Sequence, residues 1–231
     1  MFEVIYSGKK VDVYQTLKDA IQYLNLIPGS TIQEPAVAAE LGVSRTPVRE
    51  ALIRLSRESL IDIFPQRGTY VSHIDFAFAK EVAYMRHILE TEIFLKLCEE
   101  KTDLYSETEE VLYFMQQAIK RNNPVEYLKK DNQFHKTIFA HNHHELIWDI
   151  ISISRAHYNR VVIMDLQLEG HIEQSYQHHC DIVKCIAEGD QTKLTAILDK
   201  HHDHEGMDYD LIENTFPEYF QNGYVRKSPP K

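Results

Sequence analysis

Apolar residues recur at Val13, Leu17, Ile21 and Leu24, a spacing that predicts an amphipathic helix. Pro28-Gly29-Ser30 stops it, and QEPAVAAEL (33–41) gives a short second helix with Pro35 near its start, where a proline costs little. Gly42 ends that helix and Ser44 is the candidate N-cap of a third. Arg45, Thr46 and Pro47 fill its first turn, whose N–H groups lack intrahelical partners, so the proline is tolerated. Val48, Ala51, Leu52 and Leu55 form its buried face. Beyond SRESL (56–60) the period shortens. LIDIF (60–64), the turn PQRG (65–68) and TYVSHI (69–74) predict two short strands as a hairpin.

From Phe76 the helical period returns in six stretches, about Phe76–Cys98, Glu107–Arg121, Val125–His141, Leu146–Leu168, Ile172–Glu188 and Gln191–Gly206. NNP (122–124), EGH (169–171) and EGD (188–190) punctuate them. The fold class is therefore mainly α: a small helix-and-hairpin domain over 1–74, then an all-helical antiparallel bundle over 75–208. A polar tail over 209–231 follows, its last residues, NGYVRKSPPK, reading as frayed.

Charge separates the two parts. Of the formal net −10, residues 1–75 contribute −1 (8 Lys+Arg against 9 Asp+Glu) and residues 76–231 contribute −9 (17 against 26). The acidic total argues against indiscriminate nucleic-acid binding. It leaves room for a local basic surface, since Ser44 to Arg67 holds five arginines and three acids. No apolar run approaches the ~20 residues that span a bilayer. The first residues lack a basic-then-apolar export signal, and Cys98, Cys180 and Cys185 show no paired spacing, so a cytoplasmic protein with reduced thiols is expected.

Helix, helix, turn, helix and β-hairpin in that order describe a winged helix-turn-helix. Arg45 and Arg49 are four apart and share a face of the third helix, placed to reach base edges in a major groove, where arginine binds guanine O6 and N7 in bidentate fashion. Ser44 and Thr46 suit phosphates, Gly68 lets the wing backbone approach DNA, and Gln66 and Arg67 suit a minor groove. The bland alternative is a solvated amphipathic helix beside a stray hairpin. PGSTIQEPAVAAELGVSRTPVREALIRLSRESLIDIFPQRGTYV resembles the DNA-binding domain of GntR-type bacterial transcription regulators, most specifically at GVSRTPVREAL and RGTYV. The resemblance implies that Arg45 and Arg49 read operator bases and that Gly68 sits at the wing tip. Pro35 stands where many relatives carry a polar or charged residue, so one phosphate contact is expected to be missing. Ser59 replaces a common glycine at a helix end.

In the bundle, polar residues fall inside apolar stripes. Asp131 and His135 share a face with Leu128, Phe134 and Ile138; His179 lies among Ile172, Tyr176, Ile182, Val183 and Ile186. His201 follows Leu194, Ile197 and Leu198, and Arg86 lies between Val82, Leu89 and Ile93. Burying such groups singly is expensive. Convergence of Asp131, His135, His179 and His201 on a divalent metal (Zn²⁺, Ni²⁺, Mn²⁺ or Fe²⁺) would solve this and leave coordination positions for a small carboxylate that Arg86 pairs with. Alternatively the histidines are hydrogen-bonded core residues and Arg86 pairs with Glu90. His141, His143, His144, His178, His202 and His204 read as surface.

RHILE (86–90), DNQFHKTIFAHN (131–142), HCDIVKCIAEGD (179–190) and His201 resemble the FCD effector domain of the FadR branch of GntR regulators, and the six stretches its shorter, VanR-like variant. That resemblance implies a metal on the Asp and three His, a carboxylate effector facing Arg86, and Asn142 as ligand contact or helix cap. It implies a homodimer on a pseudo-palindromic operator, most often a repressor. A direct metal sensor and, remotely, a helical metallohydrolase are the rivals. The hydrolase lacks an evident general base or activated nucleophile.

Overall fold

The computed structural model describes residues 11–201 and 209–220. The chain divides into two compact units, Met1–Phe76 with Asp210–Lys231, and Ala77–Tyr209.

In the first unit, α1 (Val13–Gln22) begins where the Asp12 side chain accepts the Gln15 N–H at 3.0 Å, replacing a missing intrahelical bond. It ends earlier than the stripe predicts. Leu24 takes a left-handed backbone (φ 59°), and the Leu26 N–H folds back to the Ala20 carbonyl at 2.8 Å. Leu26 is thereby buried in place of Leu24, and the helix's last carbonyls are satisfied. α2 (Glu34–Leu41) and α3 (Arg45–Arg57) are joined through Gly42, which caps α2 at φ 65°, a conformation that carries little cost only without a Cβ. Leu17 and Ile21 of α1 and Val48, Leu52 and Leu55 of α3 are almost completely excluded from solvent, and α1 packs on α3. Beyond α3, Ser59 adopts the left-handed geometry (φ 63°) that a glycine normally supplies there.

β2 (Ile61–Phe64) and β3 (Gly68–Val71) form the expected hairpin, in register Ile63↔Thr69 and Phe64↔Gly68. A third strand, β1 (Thr31–Ile32), adds to the other edge of β3, so the sheet order is β1-β3-β2. Two residues are too short to show a period, which is why the pattern missed it. Residues 210–220 are not a bare tail. Phe220 bridges Ile74 and stacks on Phe76 at 4.1 Å, and Tyr219 accepts the Ile74 N–H at 3.0 Å. The stretch 222–231 lies outside the described residues, as do His202, His204 and the predicted helical extension to Gly206.

The second unit is a bundle of α4 (Phe76–Glu99), α5 (Tyr105–Lys120), α6 (Pro124–His141), α7 (Glu145–Ser154), α8 (Ala156–Asp165), α9 (His171–Glu188) and α10 (Gln191–His201); α11 (Tyr209–Thr215) follows. α5 packs on α6, and α9 on both α10 and α5. The predicted helix Leu146–Leu168 is two helices. Ser154 back-bonds to the Ile150 and Ile151 carbonyls, which bends a helix, and Arg155 is tied to Asn132 at 2.7 Å with its guanidinium over the Trp148 ring. The six stretches thus become seven helices of the described bundle, and the helix count no longer separates the shorter variant from the longer one. No helix among the described residues is long and apolar enough to cross a membrane.

Candidate nucleic-acid interface and candidate metal centre

The first turn of α3 presents the predicted set outward. Ser44 holds the N-cap position with extended backbone (φ −73°, ψ 168°), yet its hydroxyl makes no capping bond. Ser44, Arg45, Thr46 and Arg49 are exposed while Val48, Ala51, Leu52 and Leu55 are buried, so apolar packing fixes which face turns out. The unpaired N–H groups at this helix start add positive potential to the two arginines. Arg54 is used differently: its guanidinium lies 3.5 Å from the centre of the Tyr14 ring and 3.7 Å from Glu58, which Lys18 and Tyr14 also bind, at 2.8 and 2.6 Å. It pins α1 to α3.

The wing tip is Pro65, Gln66 and Arg67, all exposed, closed by Arg67 N–H to the Phe64 carbonyl at 3.0 Å. Gln66 is left-handed (φ 62°), and Gly68 has φ 127°, which side-chain-bearing residues avoid; a Cβ there would lie 3.2 Å from the Tyr70 ring. Tyr70 in turn donates to the Arg67 carbonyl at 3.0 Å, holding the tip. Pro35 sits in the first turn of α2 beside Glu34, whose carboxylate takes the Nε–H and Nη2–H of Arg49 at 3.3 and 3.2 Å. Sequence reasoning did not single out Glu34, because nothing local links α2 to a side chain fifteen residues away.

In the bundle three of the four predicted residues, His135, His179 and His201, converge, and Asp131 lies beside two of them. Asp131 and His135 come from α6, His179 from α9 and His201 from the end of α10. His135 Nε2 is 3.3 Å from His179 Nε2 and 3.4 Å from His201 Nε2; Asp131 Oδ1 is 3.0 Å from His179 Nε2 and 3.8 Å from His135 Nε2. His135 and His179 are fully buried and Asp131 nearly so. The His179 Nδ1 faces the Ser175 carbonyl at 2.7 Å. A carbonyl only accepts, so Nδ1 donates to it, and Nε2 faces the Asp131 carboxylate. Phe134 lies edge-on to His179 (4.7 Å), and Phe94 and Trp148 stack parallel to His135 (6.0 and 6.3 Å), giving the cluster apolar walls.

Glu90, which the sequence marks only as a partner for Arg86, completes the outer layer. It is fully buried on α4; Oε1 accepts from Arg86 Nε at 2.7 Å and Oε2 lies 3.0 Å from His135 Nδ1. Arg86, Glu90 and His135 thus lie in line behind the imidazole that points at the cluster. Burial holds the His135 ring below the usual histidine range, against the pull of Glu90. Burial raises the Asp131 carboxyl, but the His179 hydrogen bond and the His135, His179 and Arg86 charges outweigh it and hold it at about 2. Burial disfavours the Arg86 charge, and Glu90, Tyr158 and Asp131 more than restore it. Its guanidinium also lies 5.1 Å from the Tyr158 ring centre, and burial pushes that phenol up to about 12.

Asn142 behaves as a helix end: it caps α6, and its Oδ1 accepts from Lys96 at 3.3 Å. His141 and His143 are exposed as expected; His144 and His178 are half-buried, His178 lying 5.9 Å from the His201 ring. His157 on α8, which no stripe flagged, is buried and 2.8 Å from a fully buried Arg160. Cys98, Cys180 and Cys185 form no disulfide, and burial raises all three thiols.

A winged helix with an outward, arginine-bearing recognition helix, followed by a helical bundle, defines a DNA-binding transcription regulator. The profile of bacterial regulatory proteins of the gntR family matches residues 9–71, and that of the FCD domain matches residues 81–204, more than half of the chain. The protein belongs to the GntR family, in its FCD-bearing branch. It is similar to the HTH-type transcriptional repressor RspR of Escherichia coli (strain K12), with 28% identity over 190 residues, 82% of this chain and 83% of that protein. It is also similar to the gluconate operon transcriptional repressor of Bacillus subtilis (strain 168), with 32% identity over 125 residues, 52% of this chain and 51% of that one. E. coli McbR/YncC shares the fold, with a TM-score of 0.71 over 88% of this chain and 96% of that one at 18% identity. The family and these relatives are transcription regulators, not enzymes.

Proposed function

We propose that this regulator is a cytoplasmic homodimer that represses from a pseudo-palindromic operator and answers to a small carboxylate at a divalent metal in the bundle. Arg45 and Arg49 read bases in the major groove, Ser44 and Thr46 contact phosphates, Gln66 and Arg67 enter the minor groove, and Gly68 lets the wing backbone approach the DNA. One recognition helix reads too few base pairs for useful specificity, so two copies act together.

The observation that carries the metal reading is the convergence of the His135, His179 and His201 imidazoles, with the Asp131 carboxylate beside the first two. The His135 Nε2 lies 3.3 Å from that of His179 and 3.4 Å from that of His201, a spacing that either a shared proton or a shared cation satisfies. A metal binding nitrogen at about 2.05 Å sets adjacent ligands roughly 3 Å apart, so the three imidazoles suit one, and in an octahedron the four residues leave two positions open. Asp131, His135, His179 and His201 would hold Zn²⁺, Ni²⁺, Mn²⁺ or Fe²⁺. Glu90 and the Ser175 carbonyl orient two of the imidazoles, as the outer layer of a metal site does. When bound, the metal supplies a positive charge and coordination positions for an anionic ligand. Arg86 supplies a second, buried positive charge one turn from Glu90, and Asn142 borders the end of α6. The effector works only through preferring one dimer geometry over the other.

A direct metal sensor is the second reading, favoured by one contact: Arg86 already spends its Nε–H on Glu90. The test is metal content of protein purified without a histidine tag, wild type beside His179→Ala. About one metal per chain, lost in the variant while apo DNA binding persists, supports the site. Unchanged stoichiometry removes His179 from it, and no metal in either, after incubation with divalent ions, makes the four residues structural. Tight, permanent metal marks a cofactor; weak metal that alters operator binding marks the sensor.

A further inference from the structure

Among the described residues, Arg49 is the member of the DNA-reading set gripped by a carboxylate from another helix. The contact has a specific form. Arg49 Nε donates to Glu34 Oε1 at 3.3 Å and Nη2 donates to Glu34 Oε2 at 3.2 Å, two parallel bonds along one edge of the guanidinium. Glu34 is the first residue of α2, where the helix's unpaired N–H groups favour an anion. Arg49 is 68% exposed and Glu34 27%. A pair this exposed contributes little to stability, so its consequence lies in what it does to Arg49.

A guanidinium has five N–H donors in a rigid plane. The fork to Glu34 engages Nε–H and one Nη2–H. The second Nη2–H and the Nη1 hydrogens remain, and together they form the end-on edge, whose two parallel donors match guanine O6 and N7. We infer that Glu34 is the positioning residue for operator specificity: it clamps the side edge of Arg49 and leaves only the end-on edge for a base. The clamp acts in two ways. It removes rotamers in which Arg49 would lie along the groove wall, so less side-chain entropy is lost when a base is bound. It also places a negative charge beside the arginine, which disfavours use of the same guanidinium as a phosphate contact on arbitrary DNA. Specificity is a difference of affinities, and Glu34 acts on both members of it.

This rests on the reading of Arg49 as a base-contacting residue, and the experiment separates the two. Wild type, Glu34→Gln, Arg49→Ala and the double variant, all as full-length chains, are used to select binders from a randomised DNA duplex library. Affinity is then measured for the wild-type-selected duplex and for a random-sequence duplex at one fixed salt concentration. Gln is close to Glu in shape and cannot clamp both N–H groups. The expected result is that Glu34→Gln lowers the ratio of selected to random affinity by roughly tenfold and relaxes preference at the same base pair that Arg49→Ala relaxes. The double variant should be no less specific than Arg49→Ala alone, and the melting temperature should stay within about 2 °C of wild type. Three results overturn the inference. An unchanged ratio in Glu34→Gln beside a lowered ratio in Arg49→Ala would make the clamp idle. Glu34→Gln binding both duplexes more tightly by one factor would make Glu34 a general phosphate repellent. Equal losses on both duplexes in Arg49→Ala would make Arg49 a phosphate contact, and the base-reading premise itself would fall.

Discussion

Replacing Glu90 by Gln should be among the most damaging single changes to the bundle. The carboxylate is fully buried, 2.7 Å from Arg86 Nε and 3.0 Å from His135 Nδ1. Gln keeps the shape and an acceptor but removes the charge. At 2.7 Å and an effective dielectric of ~20, the Arg86–Glu90 attraction is about 6 kcal/mol. Part is returned, because a buried carboxylate no longer has to be desolvated. The net loss for breaking such a pair from one side is about 3–5 kcal/mol. Asp131 also attracts Arg86 and softens the blow, so the lower end is expected. For a unit spanning residues 77–209 this corresponds to a fall of roughly 10 °C or more in melting temperature. The assay is calorimetric unfolding of the apo protein, with the charge-free double variant Arg86→Met/Glu90→Leu beside it. Removing both charges should recover most of the loss, since a buried ion pair replaced by apolar groups is often near neutral. A Glu90→Gln shift below about 3 °C, roughly 1 kcal/mol, would refute the claim that Glu90 sustains the buried Arg86 charge. A double variant as unstable as the single one would assign the cost to packing.

The same substitution should weaken metal binding by about 10- to 100-fold in titration calorimetry, because Glu90 orients His135; unchanged affinity would separate Glu90 from the site. Asn123→Ala should cost about 1 kcal/mol in urea unfolding, since the Asn123 side chain caps α6 by accepting the Glu126 N–H at 2.9 Å. A cost near zero would mean water replaces the cap fully. Gly189→Ala should cost about 1–2 kcal/mol, because Gly189 ends α9 at φ 74° and an added Cβ would come within 2.7 Å of the Lys101 side chain. An unchanged urea midpoint would show that α9 ends equally well without glycine.

Local chemistry determined what was legible in the sequence. Caps, breakers and period placed α2, α3 and the wing, and apolar positions four apart gave the outward face of Arg45 and Arg49 directly. The five polar residues inside apolar stripes of the bundle were visible because a stripe is a statement about burial, and buried polar groups must meet partners. Which partners they meet is a long-range fact. Glu90 lies one turn from Arg86 in the chain, yet its contact with His135, forty-five residues away, exists only because α4 packs against α6. The grip of Glu34 on Arg49 depends likewise on the angle between α2 and α3. β1 was too short to carry a period, and the break at Arg155 depends on Asn132 and Trp148, which periodicity does not see. Residues 210–220 looked like a polar end, and only the pairing of Phe220 with Ile74 joins them to the first unit. Periodicity records which side of an element is buried; the neighbour that buries it, and the hydrogen bond that neighbour supplies, are decided when the elements pack.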